Sequence, residues 1–272
     1  MADLTGKTAL VTGSTDGAGR LVAQHLGDAG AHVLVHGRNR DRGAEVVAAI
    51  EKSGGKAEFL DADLAALSEV RRLASAVRER TDRLDILINN AGIGTGGRGS
   101  TREESADGYE LRFAVNYLAG FLLTCLLLPV LKASAPARIV NVASAGQQAI
   151  DFSDVMLTHG YTGTRAYCQS KLAQIMFTFD LAEELDSAQV TANALHPASY
   201  MNTTMVRQAG IEPWSRIEDG AEAILRLAAS SNLEGRGGRY YEGLREARAD
   251  AQAYDAAARR QLRALSEKLT GL

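Results

Sequence analysis

Short apolar runs alternate with amphipathic stretches along most of this chain. Residues 8–12, Thr-Ala-Leu-Val-Thr, are apolar and β-branched, as a strand buried on both faces of a parallel sheet should be. A glycine-rich turn follows, then a helical pattern carrying Leu21, Val22, Leu26 and Ala29, then a second run at 32–35. Strand, glycine turn, helix and strand make one βαβ unit. Runs at 57–60, 84–88, 138–144, 190–195 and 238–241 predict five more strands, and residues 41–50, 109–131, 167–185 and 220–230 predict helices between them. This alternation predicts an α/β fold with a doubly wound parallel sheet, built as a single domain over residues 1–272. Residues 94–108 read as a polar, glycine-rich loop, and residues 199–214, with Met201, Met205, Ile211 and Trp214, as a lid. The Ala/Arg-rich residues 244–269 read as a helical tail, with Arg248, Arg259, Arg260 and Arg263 as a solvated face. The apolar run 118–131 falls short of the roughly 20 residues a bilayer span needs and reads as a buried helix.

Composition narrows the partners. The 272 residues carry a formal charge of −3, which gives no electrostatic case for nucleic acid or an anionic membrane. Two cysteines, Cys125 and Cys168, are too few for a disulfide framework and suit a reducing compartment. The first seven residues hold no apolar signal core. A cytoplasmic protein with a small-molecule substrate, no membrane partner and no metal site is the expectation.

Candidate chemistry lies in two places. Glycines 13, 17 and 19, with Thr15, Asp16 and Ala18 between them, join a strand to a helix, where phosphate oxygens can approach backbone amides. Tyr167 and Lys171 are four apart and so share a helix face. A phenol has a pKa of about 10, and a fixed ammonium nearby favours the phenolate, which would bring it toward a working pH. The same spacing also occurs on helix surfaces as a solvated tyrosine and lysine. The second strand ends in His36-Gly37-Arg38-Asn39 without the acid that holds a ribose 2′-hydroxyl in NAD sites. Arg38 either pairs with a 2′-phosphate or is a solvated charge; Asp16 counts slightly against NADP.

The spacing Thr-Gly-x-x-x-Gly-x-Gly at 12–19, Asn89-Asn90-Ala91-Gly92, Asn116 within Phe-Ala-Val-Asn-Tyr-Leu, Ser144, and Tyr167-x-x-x-Lys171 resemble the short-chain dehydrogenase/reductase family. The longer interval between Ser144 and Tyr167, with Phe152, Val155, Met156, Leu157 and Tyr161, resembles its retinol-dehydrogenase-like branch and points to a bulky, hydrophobic carbonyl substrate. The resemblance implies strand order 3-2-1-4-5-6-7 and a catalytic tetrad of Asn116, Ser144, Tyr167 and Lys171. It implies a kink at Asn116, which holds a water relaying protons to the lysine. Hydride would pass between nicotinamide and carbonyl carbon while Ser144 and Tyr167 hold the oxygen and Tyr167 delivers the proton. NADP(H), preferred over NAD(H), would contact Gly13, Thr15, Asp16, Gly17, Ala18, Gly19, Arg38, Asn39, Asp63, Leu64, Asn90, Ala91, Gly92, Tyr167, Lys171 and Pro197. Asp63, matched to an adenine contact, also reads as a turn or N-cap residue. Ala198 and Asn202 depart from the family's glycine and threonine after Pro197, and His196 beside the proline reads as structural. The helices at 109–131 and 167–185 would form a subunit interface in a dimeric or tetrameric homo-oligomer. A non-catalytic NAD(P)-binding regulator and an epimerase or dehydratase of the extended family type are the rival functions.

Overall fold

In the computed structural model, which describes residues 3–97 and 99–272, seven strands run parallel in one sheet. They are β1 (Thr8–Val11), β2 (His32–Gly37), β3 (Lys56–Asp61), β4 (Ile86–Asn89), β5 (Ala137–Val142), β6 (Val190–His196) and β7 (Arg239–Glu242). An eighth, β8 (Arg245–Ala247), pairs antiparallel with β7, so the order is β3-β2-β1-β4-β5-β6-β7-β8. The first seven positions match the sequence expectation. The eighth was hidden because Arg245-Glu246-Ala247 has no apolar alternation and gets its pairing from the turn after Glu242.

Helices cover both faces of the sheet, and each face buries its own apolar cluster. One cluster holds Val11, Val22, Leu26, Val35 and Ile224, beneath α1 (Gly17–Asp28), α2 (Arg40–Lys52) and α7 (Ile217–Ala229). The other holds Leu87, Tyr117, Phe121, Leu172, Met176 and Leu262. It lies beneath α3 (Leu67–Arg80), α4 (Ala119–Ala133), α5 (Gly163–Glu184) and α8 (Ala256–Thr270). The short α6 (Thr204–Gln208) lies apart, in the lid.

Three expected helices depart most from their expected bounds. The stretch read as 109–131 is broken: Phe113–Leu118 is a π-helical turn and α4 follows it, with Pro129 inside the helix. Residues 113–133 are apolar and long enough to cross a membrane by length and composition, but Phe113, Tyr117, Phe121, Leu122, Leu127 and Leu131 are buried in the core. Helix α5 begins at Gly163, because the Thr162 side chain accepts from the Arg165 amide and caps it; Tyr167 therefore sits one turn inside. The expected tail helix at 244–269 starts only at Ala256, where Asp255 caps it, after β8 and a 3₁₀ turn at Ala251–Tyr254. Its arginines were read as a solvated face, yet Arg259 is buried against Glu183, and Arg263 bonds Asp180 at 3.0 Å and Glu184 at 3.1 Å.

Candidate active site

The parallel strands end together at one edge of the sheet, where ligands of doubly wound folds collect. Ser144 lies two residues beyond β5, and its carbonyl accepts from Tyr240 at 3.1 Å and Gln147 at 3.0 Å. A methyl group at Gly146 would stand 3.4 Å from Ser144 Oγ and 3.7 Å from Tyr167 Cε1, so the hydroxyl and the phenol ring share one small space. Lys171 comes up from the next turn of α5, its Nζ 5.8 Å from the Tyr167 ring centroid. That ammonium donates to the Val142 carbonyl at 2.8 Å and to Gln174 Oε1 at 2.9 Å.

The electrostatics differ from the sequence reading. Burial pushes the Tyr167 phenol above its ordinary value, and the influence opposing this is the hydrogen bond from Ser144. Burial brings the Lys171 amine down to about 7. The expected tuning of phenol by ammonium is thus replaced, because Lys171 directs its protons to Val142 and Gln174 and both groups lose water.

Asn116 lies in the π-helical turn, so the expected kink is a widened turn. Its Oδ1 accepts from the Ile93 amide at 2.7 Å, and its Nδ2 donates to the Ile93 carbonyl at 3.1 Å and Ser170 Oγ at 3.0 Å. Both amide protons are therefore engaged, and a water relay would use other atoms. A Cβ on Gly92 would come 3.2 Å from Asn116 Oδ1 and 3.4 Å from Lys171 Nζ, so this glycine backs directly onto both.

The glycine turn interlocks with β4. Gly13 has φ +65°, and a Cβ there would meet Ala91 Cα at 2.8 Å. One on Gly19 would meet Asn90 Nδ2 at 2.4 Å and the Gly13 carbonyl at 2.5 Å. Asn90 in turn donates to the Thr12 and Gly13 carbonyls, at 2.9 and 3.1 Å. Backbone is thus bared at the start of α1, a cradle that fits a pyrophosphate. His36 Nδ1 accepts from the Gly13 amide at 3.1 Å, and burial brings this imidazole down to about 4, so it adds no charge.

At the adenosine end, Arg38 faces Asp63 at 3.5 Å, while Asp63 Oδ1 also accepts from the Ala65 amide at 3.0 Å. Thr15 packs against Gly37. Asn39 caps α2 through the Arg42 amide, and Leu64 and Ala18 turn their side chains into the two apolar clusters. Asp16 Oδ1 caps α1 at Gly17. Pro197 follows β6, and His196 Nε2 pairs with Ser199 Oγ at 2.9 Å, a structural contact. Tyr161 is bound to Arg112 and Glu110, and Leu157 is buried with Phe152, Val155 and Met156 packed against the core. The apolar groups between Ser144 and Tyr167 thus serve mainly to anchor that segment.

Residues 7–213 match the family described as short chain dehydrogenase. The chain belongs to the short-chain dehydrogenase/reductase family. It is 36% identical to human retinol dehydrogenase 13, over 100% of this chain and 86% of the relative. It is 37% identical to mouse polyprenol dehydrogenase, over 98% and 84%. The solved RhlG/NADP active-site complex of Pseudomonas aeruginosa superposes with a TM-score of 0.73 at 30% identity, covering 88% of this chain and 95% of that one. The chain is therefore a retinol-dehydrogenase-like oxidoreductase acting on CH–OH or C=O groups with a nicotinamide cofactor.

Sequence reading missed four supporting residues. Thr12 Oγ1 accepts from the Asn90 and Ala91 amides, Ser170 and Gln174 orient Asn116 and Lys171, and Tyr240 holds the Ser144 carbonyl. Gln174 carried a signal, lying three residues from Lys171 on one helix face, and Thr12 stood at the head of the glycine motif. Among the described residues, no group of three or more His, Cys, Asp or Glu could hold a metal ion.

Proposed function

We propose that this chain is an NADP(H)-preferring carbonyl reductase or alcohol dehydrogenase for a hydrophobic small molecule, with all of residues 1–272 acting as one domain. The observation that carries the reading is the shared space of Ser144 Oγ and Tyr167, with Lys171 one turn away and Gly92 against it. A bound nicotinamide dinucleotide supplies or accepts the hydride. Ser144 and Tyr167 direct hydroxyls at the substrate oxygen, where charge grows during the reduction. The proton passes between the Tyr167 hydroxyl and that oxygen. Lys171, fixed by Val142 and Gln174, holds its amine one turn from the phenol that gives up the proton.

The preference for NADP(H) rests on the end of β2, where Arg38 stands and no acid does. Asp16, the apparent objection, is engaged as the cap of α1. A hydrophobic substrate is supported by the lid, which leaves Tyr200, Met205, Ile211 and Trp214 exposed, and by relatives named for retinol and polyprenol. A reducing cytoplasmic setting, supported by two free cysteines, belongs to the same proposal. So does a homo-oligomer, which would use the parts of α4 and α5 that α8 leaves open.

Turnover of retinaldehyde and a panel of aliphatic ketones, each with NADPH and NADH, tests this reading. Activity is expected with NADPH in excess of NADH, and Tyr167→Phe is expected to lower kcat by about 100-fold or more while still binding dinucleotide. Undiminished turnover in that variant would exclude the mechanism.

A further inference from the structure

The lid at residues 199–214 is tied at its base and at its tip by different means. At the base, Met201 bridges to Ser215, the Trp214 amide donates to the Tyr200 carbonyl at 3.1 Å, and the two rings meet edge-on at 5.2 Å. Tyr200 has φ +47°, an unfavourable value for a side chain of its size, and marks where the chain bends into the lid. At the tip, α6 reaches across the crevice between the ends of β1 and β4. Its Thr204 Oγ1 donates to Asp16 Oδ2 at 2.7 Å. The Thr203 methyl lies 3.2 Å from the place a Cβ on Gly17 would take, and Met205 Cγ lies 2.9 Å from the corresponding place on Gly94. The lid therefore rests on the phosphate turn with Thr203 and Thr204 and on the loop after β4 with Met205.

One side-chain hydrogen bond joins this tip to the phosphate turn. Asp16 is built to make it: Oδ1 accepts from the Gly17 amide at 2.8 Å, which fixes the carboxylate, and Arg42 Nη1 stands 3.5 Å from Oδ2. Resting on the reading that a dinucleotide lies across this crevice, we propose that Asp16 and Thr204 form a latch. It pins the lid over the dinucleotide's phosphates and sets how fast the dinucleotide leaves. The latch also explains an acidic residue in a phosphate-binding turn. Its charge is directed at the lid hydroxyl, at the helix cap and at Arg42, and the lid's apolar outer face is left to move as one piece when the bond breaks.

NADPH release, followed by its fluorescence after rapid mixing with excess NADP⁺, tests the latch. Thr204→Val is expected to release NADPH about tenfold faster or more than the unaltered protein, since a hydrogen bond to a charged group contributes roughly 1.5 kcal/mol or more. The KM for dinucleotide should rise with it. Thr204→Ser keeps the hydroxyl and should release at the unaltered rate, which a mere packing role for the threonine methyl would not allow. In an Asp16→Ala background, Thr204→Val should add nothing further. Equal release rates for Thr204→Val and the unaltered protein, or an undiminished effect in the Asp16→Ala background, overturn the latch and leave the oxidoreductase reading standing. Failure of the unaltered protein to bind NADPH or NADH removes both.

Discussion

Lys171 gives its protons to a carbonyl and an amide oxygen rather than to the phenol beside it, and burial holds its amine near 7. That has a consequence for stability. In the unfolded chain a lysine holds its proton to a pKa of about 10.4, so between pH 7 and that value the unfolded state binds more protons than the folded one. The burial penalty is complete below about pH 7 and disappears as the pH rises through the window. Urea midpoints measured from pH 6.5 to 9.5 should therefore climb more steeply in the unaltered protein than in Lys171→Met. Equal slopes would show that Lys171 titrates normally. At this scale helical spacing placed Tyr167 and Lys171 on one face, as α5 does, while the other motifs were needed to single that pair out from an ordinary surface tyrosine and lysine. The sequence concealed the hydrogen bonds, since the Val142 carbonyl that takes a Lys171 proton lies at a strand end, and Asn116 meets Ser170 from another helix, contacts made only in the fold.

Elements were legible where one periodicity ran unbroken. The seven parallel strands are short apolar runs, and each emerged from the sequence close to its true position. Boundaries shifted where a cap or a backbone irregularity governs, as with Thr162 before α5 and the π-helical turn at Asn116, neither of which alters the apolar pattern. Between elements, the glycine turn fits closely against the chain just beyond β4. Gly19→Ala would drive a methyl into Asn90 and the Gly13 carbonyl, both of which define the phosphate cradle. The variant should retain its far-ultraviolet circular dichroism and bind dinucleotide at least about tenfold more weakly in a fluorescence titration. Unchanged affinity would mean that the turn relaxes freely and does not set the site.

The whole molecule is completed by its last helix. Ser266 Oγ lies 2.7 Å from the Tyr117 hydroxyl, the Tyr109 hydroxyl donates to the Leu269 carbonyl at 2.9 Å, and Leu262 is fully enclosed in the larger apolar cluster. Removing residues 256–272 should lower Tm by about 10 °C and turn a discrete species into aggregates by light scattering. A truncated protein that melts as before would make α8 an ornament of the surface. This closure was not legible in the alanines and arginines of the tail, because Arg259 and Arg263 disguise an inward-facing helix as a solvated one. A chain growing from the ribosome presents α5 and the Tyr117 turn long before residue 262 is made. Until α8 emerges, the nascent protein carries an uncovered aromatic face, and that interval is when a chaperone would have most to hold.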